Sequence, residues 1–203
     1  MAPQQPSILI LAAGAATRMR GADKMLERVD GVAQIRRITA AALATGCRVA
    51  IALPPDRPDR AAAVEGLPVI GVIVKDAQDG MAASIRAGLA ALPANAALMI
   101  LLADLPELTH DDLNTVLRAQ AETPELIIRA CSAAGIPGHP VCFPPMLRAE
   151  LASLRGDMGA RALLARHKTR CRTVALPANH AITDLDTPED WAAWRASRLP
   201  KSD

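Results

Sequence analysis

Aromatic residues are almost missing from this chain: one Phe, two Trp and no Tyr among 203 residues. A binder of single-stranded nucleic acid needs aromatic platforms for its bases, so that class is excluded. The core must be aliphatic, and hydrophobic residues at 51% supply enough material for one. An excess of one charge is also lacking. Twenty-three basic and 21 acidic residues leave a net charge of +2, so any anion site is local rather than a global basic surface. No apolar run approaches the ~18 residues of a membrane span. "ILILAAGAA" (8–16) could imitate a leader, but no basic segment precedes it and Arg18 follows closely. Cys47, Cys131, Cys142 and Cys171 form no C-x-x-C pair, and no His stands at metal-ligand spacing from them. They read as buried thiols in a reducing compartment. The expectation is a cytoplasmic protein with no membrane or nucleic-acid partner.

What is present is an alternation. Short aliphatic runs at 7–12, 48–53, 69–74, 97–102 and 126–130 fit fully buried strands. Helical patterns lie between them, at about 32–45, 58–65, 80–92 and 109–121. Apolar strands alternating with amphipathic helices imply an α/β fold: a mostly parallel sheet covered on both faces, in three α/β/α layers. Thr109 can cap a helix carrying Asp111 and Asp112 in its first turn, and Asp157 and Thr187 are similar starts. After residue 131 the rhythm changes. "GIPGHPVCFP" is a turn into a strand at 140–143, helices follow near 144–153 and 158–166, then a strand near 171–176. "DLDTPEDWAAWRAS" opens a last helix, on which Trp191 and Trp194 either pack against the domain or form a partner patch. The terminal PQQP and PKSD are expected to fray.

In an open α/β sheet, ligands bind beyond the carboxyl ends of the strands. Residues 12–24 leave the first strand at that end as a loop. Ala12, Ala13 and Gly14 are small, so the backbone can approach a ligand, and Gly14 can take a positive φ. Loop N–H groups can cradle an anion, and Arg18 and Lys24 add charge beside them. The pattern suits a triphosphate. It is neither the P-loop, since no Gly-Lys pair occurs, nor the dinucleotide fingerprint, since only one Gly lies between residues 11 and 20. Asp104 follows the strand at 97–102, where a carboxylate suits Mg²⁺.

"LAAGAATRMRGADKML" (11–26) resembles the signature loop of the MobA-like nucleotidyltransferases. Five later stretches agree with that family in order: "DGMAASIRAGL" (79–89), "LLADLPELT" (101–109), "GIPGHPVCFP" (135–144), "GDMGARALL" (156–164) and "DLDTPEDW" (184–191). The Gly-His-Pro and Gly-Asp-x-Gly-Ala-Arg stretches look closest to the molybdenum-cofactor cytidylyltransferases. Departures are Arg20 before Gly21, "GVAQIRR" at 31–37, and Ala83 where a Ser is common.

The resemblance implies a fold of the nucleotide-diphospho-sugar transferase type, Rossmann-like. It implies one domain over 1–203, with a nucleotide half at about 7–110 and an acceptor half at about 111–195. It implies transfer of a nucleoside monophosphate from an NTP, with CTP favoured by the Leu-Ala-Ala-Gly stretch, to the phosphate of a molybdopterin-type cofactor. A client molybdoenzyme or its chaperone would be a further partner. Arg18, Lys24 and Asp104 would be catalytic. Leu11, Ala12, Ala13, Gly14, Arg18, Lys24, Ser84 and Asp104 would bind nucleotide. Gly138, His139, Pro140, Asp157, Gly159 and Arg161 would bind the acceptor. Mg²⁺ would be held by Asp104 and Asp186, with Asp184 as the other choice. Alternatives stay open beside these roles: the loop at 12–24 can be an ordinary basic surface loop and Asp104 a turn residue before Pro106. His139 can be a packed or solvated side chain, Asp157 a plain N-cap, and Asp186 or Thr187 only a cap. For the whole chain the alternatives are a guanylyl or other NTP transferase with a different phosphate acceptor, and a non-catalytic accessory protein that binds molybdenum cofactor.

Overall fold

The computed structural model describes residues 5–156 and 159–198. The first strand, β1 (Ser7–Leu11), is buried along its whole length. Its side chains alternate between two cores. Ile8, Ile10 and Ala12 enter one, while Leu9, Leu11 and Ala13 enter the other. This explains the unbroken apolar run: both faces of the strand are covered.

A hairpin of β2 (Arg28–Val29) and β3 (Val32–Ala33) follows the loop. Asp30 (φ 50°) and Gly31 (φ 83°) form its two-residue turn, the Asp-Gly chemistry that such hairpins prefer. The expected helix at 32–45 is therefore shorter, α1 at Gln34–Ala44. The chain then runs through β4 (Arg48–Leu53), α2 (Pro58–Ala63), β5 (Ile70–Ile73), α3 (Met81–Ala91), β6 (Leu98–Leu102) and α4 (His110–Glu122). The second part adds β7 (Ile127–Cys131), β8 (Pro137–Phe143), α5 (Arg148–Ala152), α6 (Arg161–Arg166), β9 (Cys171–Ala175) and α7 (Pro188–Ser197).

Among the described residues, seven strands make one sheet in the order β5-β4-β1-β6-β8-β7-β9. Only β8 runs against its neighbours; the other pairings are parallel. Helices α1 and α4 cover one face, with Ile35, Ile38, Leu113 and Val116 in its core. Helices α3, α5 and α6 cover the other, with Ile85, Leu89, Leu151 and Leu163. The architecture is the expected three-layer, mostly parallel fold. Two strands of the sheet are mostly exposed. β5 and β9 lie at the sheet's ends, so each leaves an edge open and more than half of its residues exposed. Cys171, on β9, is half-buried for the same reason, while Cys47, Cys131 and Cys142 are buried free thiols. No described helix is long and apolar enough to cross a membrane. Of the PQQP (3–6) and PKSD (200–203) stretches expected to fray, residues 3, 4 and 200–203 lie outside the described ones.

Strand register places the chemistry. Leu11 and Leu102 pair in parallel as the last residues of β1 and β6, so Ala13 and Asp104 emerge side by side at the carboxyl edge. Because β8 is antiparallel, with Val141 opposite Ile100, its first residues reach the same edge. The "GIPGHP" stretch thus arrives beside Asp104 despite lying more than 30 residues later. Its last four residues belong to β8, which starts at Pro137 rather than at residue 140.

Gly138 is needed where β8 passes the loop at 181. The His139 N–H donates to the Ala181 carbonyl at 2.8 Å, and a Cβ on Gly138 would overlap that carbonyl. Gly138→Ala is expected to cost about 2 kcal/mol or more, read as a lower chemical-denaturation midpoint. An unchanged midpoint would contradict this packing.

Candidate active site

Two cavities open along the carboxyl edge. One, of about 550 Å³, is lined by the loop Ala13–Arg18 and by Lys24, Gly80, Met81 and Asp104. The other, of about 480 Å³, has mostly aliphatic walls with Arg129, Gly138 and His139. Met81, Leu102, Arg161 and Asp184 line both, so the two adjoin.

The loop is built by its surroundings. Thr17–Met19 form a 3-10 turn entered through Ala16 at φ 52°. Gly14, expected to supply the positive φ, does not take it. A Cβ there would meet no protein atom within 4 Å, so its smallness leaves open space on the cleft side. Met19 is buried in a small cluster with Val29, Leu185, Trp191 and Trp194. The two indoles meet edge to face with centroids 5.8 Å apart. Both Trp residues therefore pack α7 against the loop rather than offering a partner patch.

Lys24 is the centre of charge. Its Nζ lies 2.5 Å from Asp104 Oδ2, 2.6 Å from Asp186 Oδ1 and 3.6 Å from Asp184 Oδ1. Arg18 Nη2 reaches Asp186 Oδ2 at 2.7 Å. Burial works against the ammonium, but Asp104, then Asp186 and Asp184, outweigh it and hold the Lys24 pKa above its ordinary value. Burial first and the Asp104 charge second push Asp184 up to about 6. Oxygens of Asp104, Asp184 and Asp186 all lie within 4.8 Å of one another. Thr187 and Asp190 form the capping box of α7, so Asp186 is spared that task and faces the cluster.

The electrostatics suit a divalent cation. Three carboxylates face two cations from the protein, and Asp104 Oδ1 is buried with no partner among the described residues. Clustered carboxylate oxygens are the donors that Mg²⁺ and Mn²⁺ take.

Other expected residues sort by position. Leu11, Ala13, Gly14, Arg18, Lys24 and Asp104 line the loop cavity. Ala12 does not; its side chain is fully buried in the core below. Ser84 is also buried on the inner side of α3 and lines neither cavity, which is reached instead by Gly80 and Met81. Gly138 and His139 line the second cavity, and Arg161 both, while Pro140 is buried behind them. Gly159 (φ 50°) packs under Met81. Asp157 lies outside the described residues.

Several residues escaped sequence reasoning. Gln34 Nε2 donates to the Ala103 and Leu105 carbonyls on either side of Asp104, at 2.9 and 3.2 Å. Glu107 accepts from Thr183 Oγ1 at 2.7 Å and from Trp194 Nε1 at 3.0 Å. It thus clamps the segment after Asp104 to the segment before Asp184. Arg129 donates to the Gly138 carbonyl at 3.1 Å. Each acts across 9 or more residues, so no local pattern marks it. The Asp-Gly pair at 30–31 was a readable signal for the hairpin.

Residues 8–171, more than half of the chain, match the MobA-like NTP transferase domain. The chain belongs to the MobA-like NTP transferase family. Among relatives of this transferase, purine catabolism protein PucB of Bacillus subtilis (strain 168) is 29% identical over 122 residues. That match spans 59% of this chain and 58% of PucB. The crystal structure of Rv0371c from Mycobacterium tuberculosis H37Rv superposes with a TM-score of 0.80 at 26% identity, covering 95% of this chain and 98% of that one. A structure of Rv0371c in complex with manganese gives 0.76 at 25% identity, covering 96% and 100%. CMP:2-keto-3-deoxy-manno-octonic acid synthetase complexed with CTP gives 0.72 at 16% identity, covering 97% and 100%. At that identity it bears on the fold alone, which is of the nucleotide-diphospho-sugar transferase type.

Two outcomes are expected. Lys24→Met leaves the three carboxylates facing one another, so in metal-free buffer it should melt below the wild type. Millimolar Mg²⁺ or Mn²⁺ should then raise its Tm by more than it raises the wild type's; an equal response would show that lysine and cation do not share these oxygens. His139 is the second case. Burial first, then Arg129, lowers its pKa from 6.5 to about 4. The unfolded chain takes up a proton that the native ring refuses, so native stability should fall as pH drops from 6.5 towards 4. His139→Gln should flatten that part of the curve. A ring-nitrogen NMR titration with a midpoint above 6 would refute the neutral assignment.

Proposed function

We propose that this MobA-like transferase moves a nucleoside monophosphate from an NTP, favouring CTP, to the phosphate of a molybdopterin-type cofactor, releasing pyrophosphate. The observation that carries the reading is the pair of adjoining cavities with the charged cluster at their junction. One cavity has a backbone loop with Arg18 and Lys24, suited to a triphosphate. The other has aliphatic walls and arginines, suited to a largely apolar molecule bearing a phosphate. A nucleotide half at about 7–110 would supply most of the first, with Arg161, Asp184 and Asp186 added from an acceptor half at about 111–195, which would supply most of the second.

An acceptor phosphate oxygen attacks the α-phosphorus of the NTP. A P–O bond forms there as the P–O bond to pyrophosphate breaks. The attacking oxygen is already ionised, so no general base is required, which agrees with a neutral His139. Catalysis then rests on positioning and charge. Arg18, Lys24 and the N–H groups of the loop would hold the triphosphate. Arg161, on the wall between the cavities, would face both phosphates. Asp104 and Asp186, joined by Asp184, would hold a divalent cation, Mg²⁺ in the cell. Bound there, it would offset charge on the phosphate oxygens and the departing pyrophosphate. The preference for CTP rests on the Leu11–Gly14 stretch, and a cytoplasmic setting on the free cysteines.

The test is pyrophosphate release with CTP, GTP or ATP, Mg²⁺, and molybdenum cofactor present or omitted. Release with CTP and cofactor together is expected. Lys24→Ala and Asp104→Ala should each lower turnover about 100-fold or more. Release with GTP in place of CTP would change the donor, and none with any nucleotide would leave a binding protein.

A further inference from the structure

Beneath the loop lies a charge that no motif marks. Arg60, in the first turn of α2, is 0% exposed. Its Nη1 donates to the Ala12 carbonyl at 2.6 Å and to the Gly14 carbonyl at 2.8 Å. Its Nε donates to Asp23 Oδ2 at 2.7 Å. The other oxygen of Asp23 accepts the Met25 N–H at 3.0 Å. Just before α2, at its N-cap, Arg57 Nη2 donates to the Ala15 carbonyl at 3.3 Å.

Burying a guanidinium is costly unless it is paired; this one commits Nη1 to two loop carbonyls and Nε to Asp23, while Nη2 has no partner among the described residues. A trans peptide points its C=O and the following N–H in opposite directions. Drawing the carbonyls of Ala12 and Gly14 towards Arg60 turns the N–H groups of Ala13 and Ala15 away from it. Both residues line the loop cavity. Among the described residues, neither N–H meets a protein acceptor. They are donors left for a ligand. The same guanidinium, through Asp23, braces the turn that carries Lys24.

We infer that Arg60, braced by Asp23, is the positioning residue of the polyphosphate loop: it aims the loop's N–H groups at an anionic ligand and ties Lys24 to the same frame. This rests on the nucleotide reading above. Arg60 touches no ligand itself. Lysine would keep the charge but present one point instead of a fork of donors.

The test uses the full chain as wild type, Arg60→Lys, Arg60→Met and Asp23→Asn. Binding of CTP and of inorganic tripolyphosphate, each with Mg²⁺, is measured by titration calorimetry, beside circular dichroism and Tm. Arg60→Lys is expected to fold and to bind tripolyphosphate about tenfold more weakly. The KM for nucleotide should rise by a similar factor with a smaller fall in kcat, and Asp23→Asn should move both in the same direction. A merely structural Arg60 would lower Tm and leave the affinity of the folded protein unchanged. If Arg60→Met does not fold, the lysine and asparagine variants carry the result. Wild-type affinity in those two variants overturns the role of Arg60 alone. A wild type that binds neither CTP nor tripolyphosphate overturns the nucleotide reading as well.

Discussion

The ion cluster around Lys24 is the constraint on which the rest of the site depends. Three carboxylates at the end of a sheet repel one another unless something positive stands between them. Lys24 takes that place, and to reach it the chain must leave β1, cross the edge and return. The loop, its 3-10 turn and the buried Met19 follow from that path. Asp104 comes straight off β6, but Asp184 and Asp186 come from a segment some 80 residues later, brought in by α7 and by the clamp at Glu107. Charge at one point thus links the first strand, a central strand and the C-terminal helix.

The same arrangement divides labour between side chains and backbone. The charged groups that meet at the cavity mouths range from buried Lys24 to exposed Arg18. The fully buried cation, Arg60, faces carbonyls and one carboxylate beneath the loop. A sheet with aliphatic cores on both faces is rigid enough to support this. The loops are held by long-range hydrogen bonds as well as by turns of their own.

Much of the fold was legible because it depends on local periodicity. β1, β4, β6 and β7 are apolar runs, and α4 and α7 begin at Thr caps that the sequence displays. What was misread has physical reasons. The strand at 69–74 is as apolar as the others, yet β5 is an edge, and edge position is a property of strand order. The hairpin at 28–33 was missed although its Asp-Gly turn was visible, because the α1 pattern begins directly after it.

By itself the sequence determined the alternation of strands and helices, the small-residue loop, and the supply of Arg18, Lys24, Asp104 and the Asp184–Asp186 pair. Tertiary structure alone decided how these are used. It turned Ala12 and Ser84 inward, brought His139 to the carboxyl edge by running β8 backwards, and drew Asp184 into the cluster beside Asp186. It also placed Arg60 and Asp23 under the loop, 37 residues apart in the chain. The reason is range. Periodicity and capping are set by neighbours within about a turn, whereas the meeting of distant charges depends on strand order and register, which no single segment encodes.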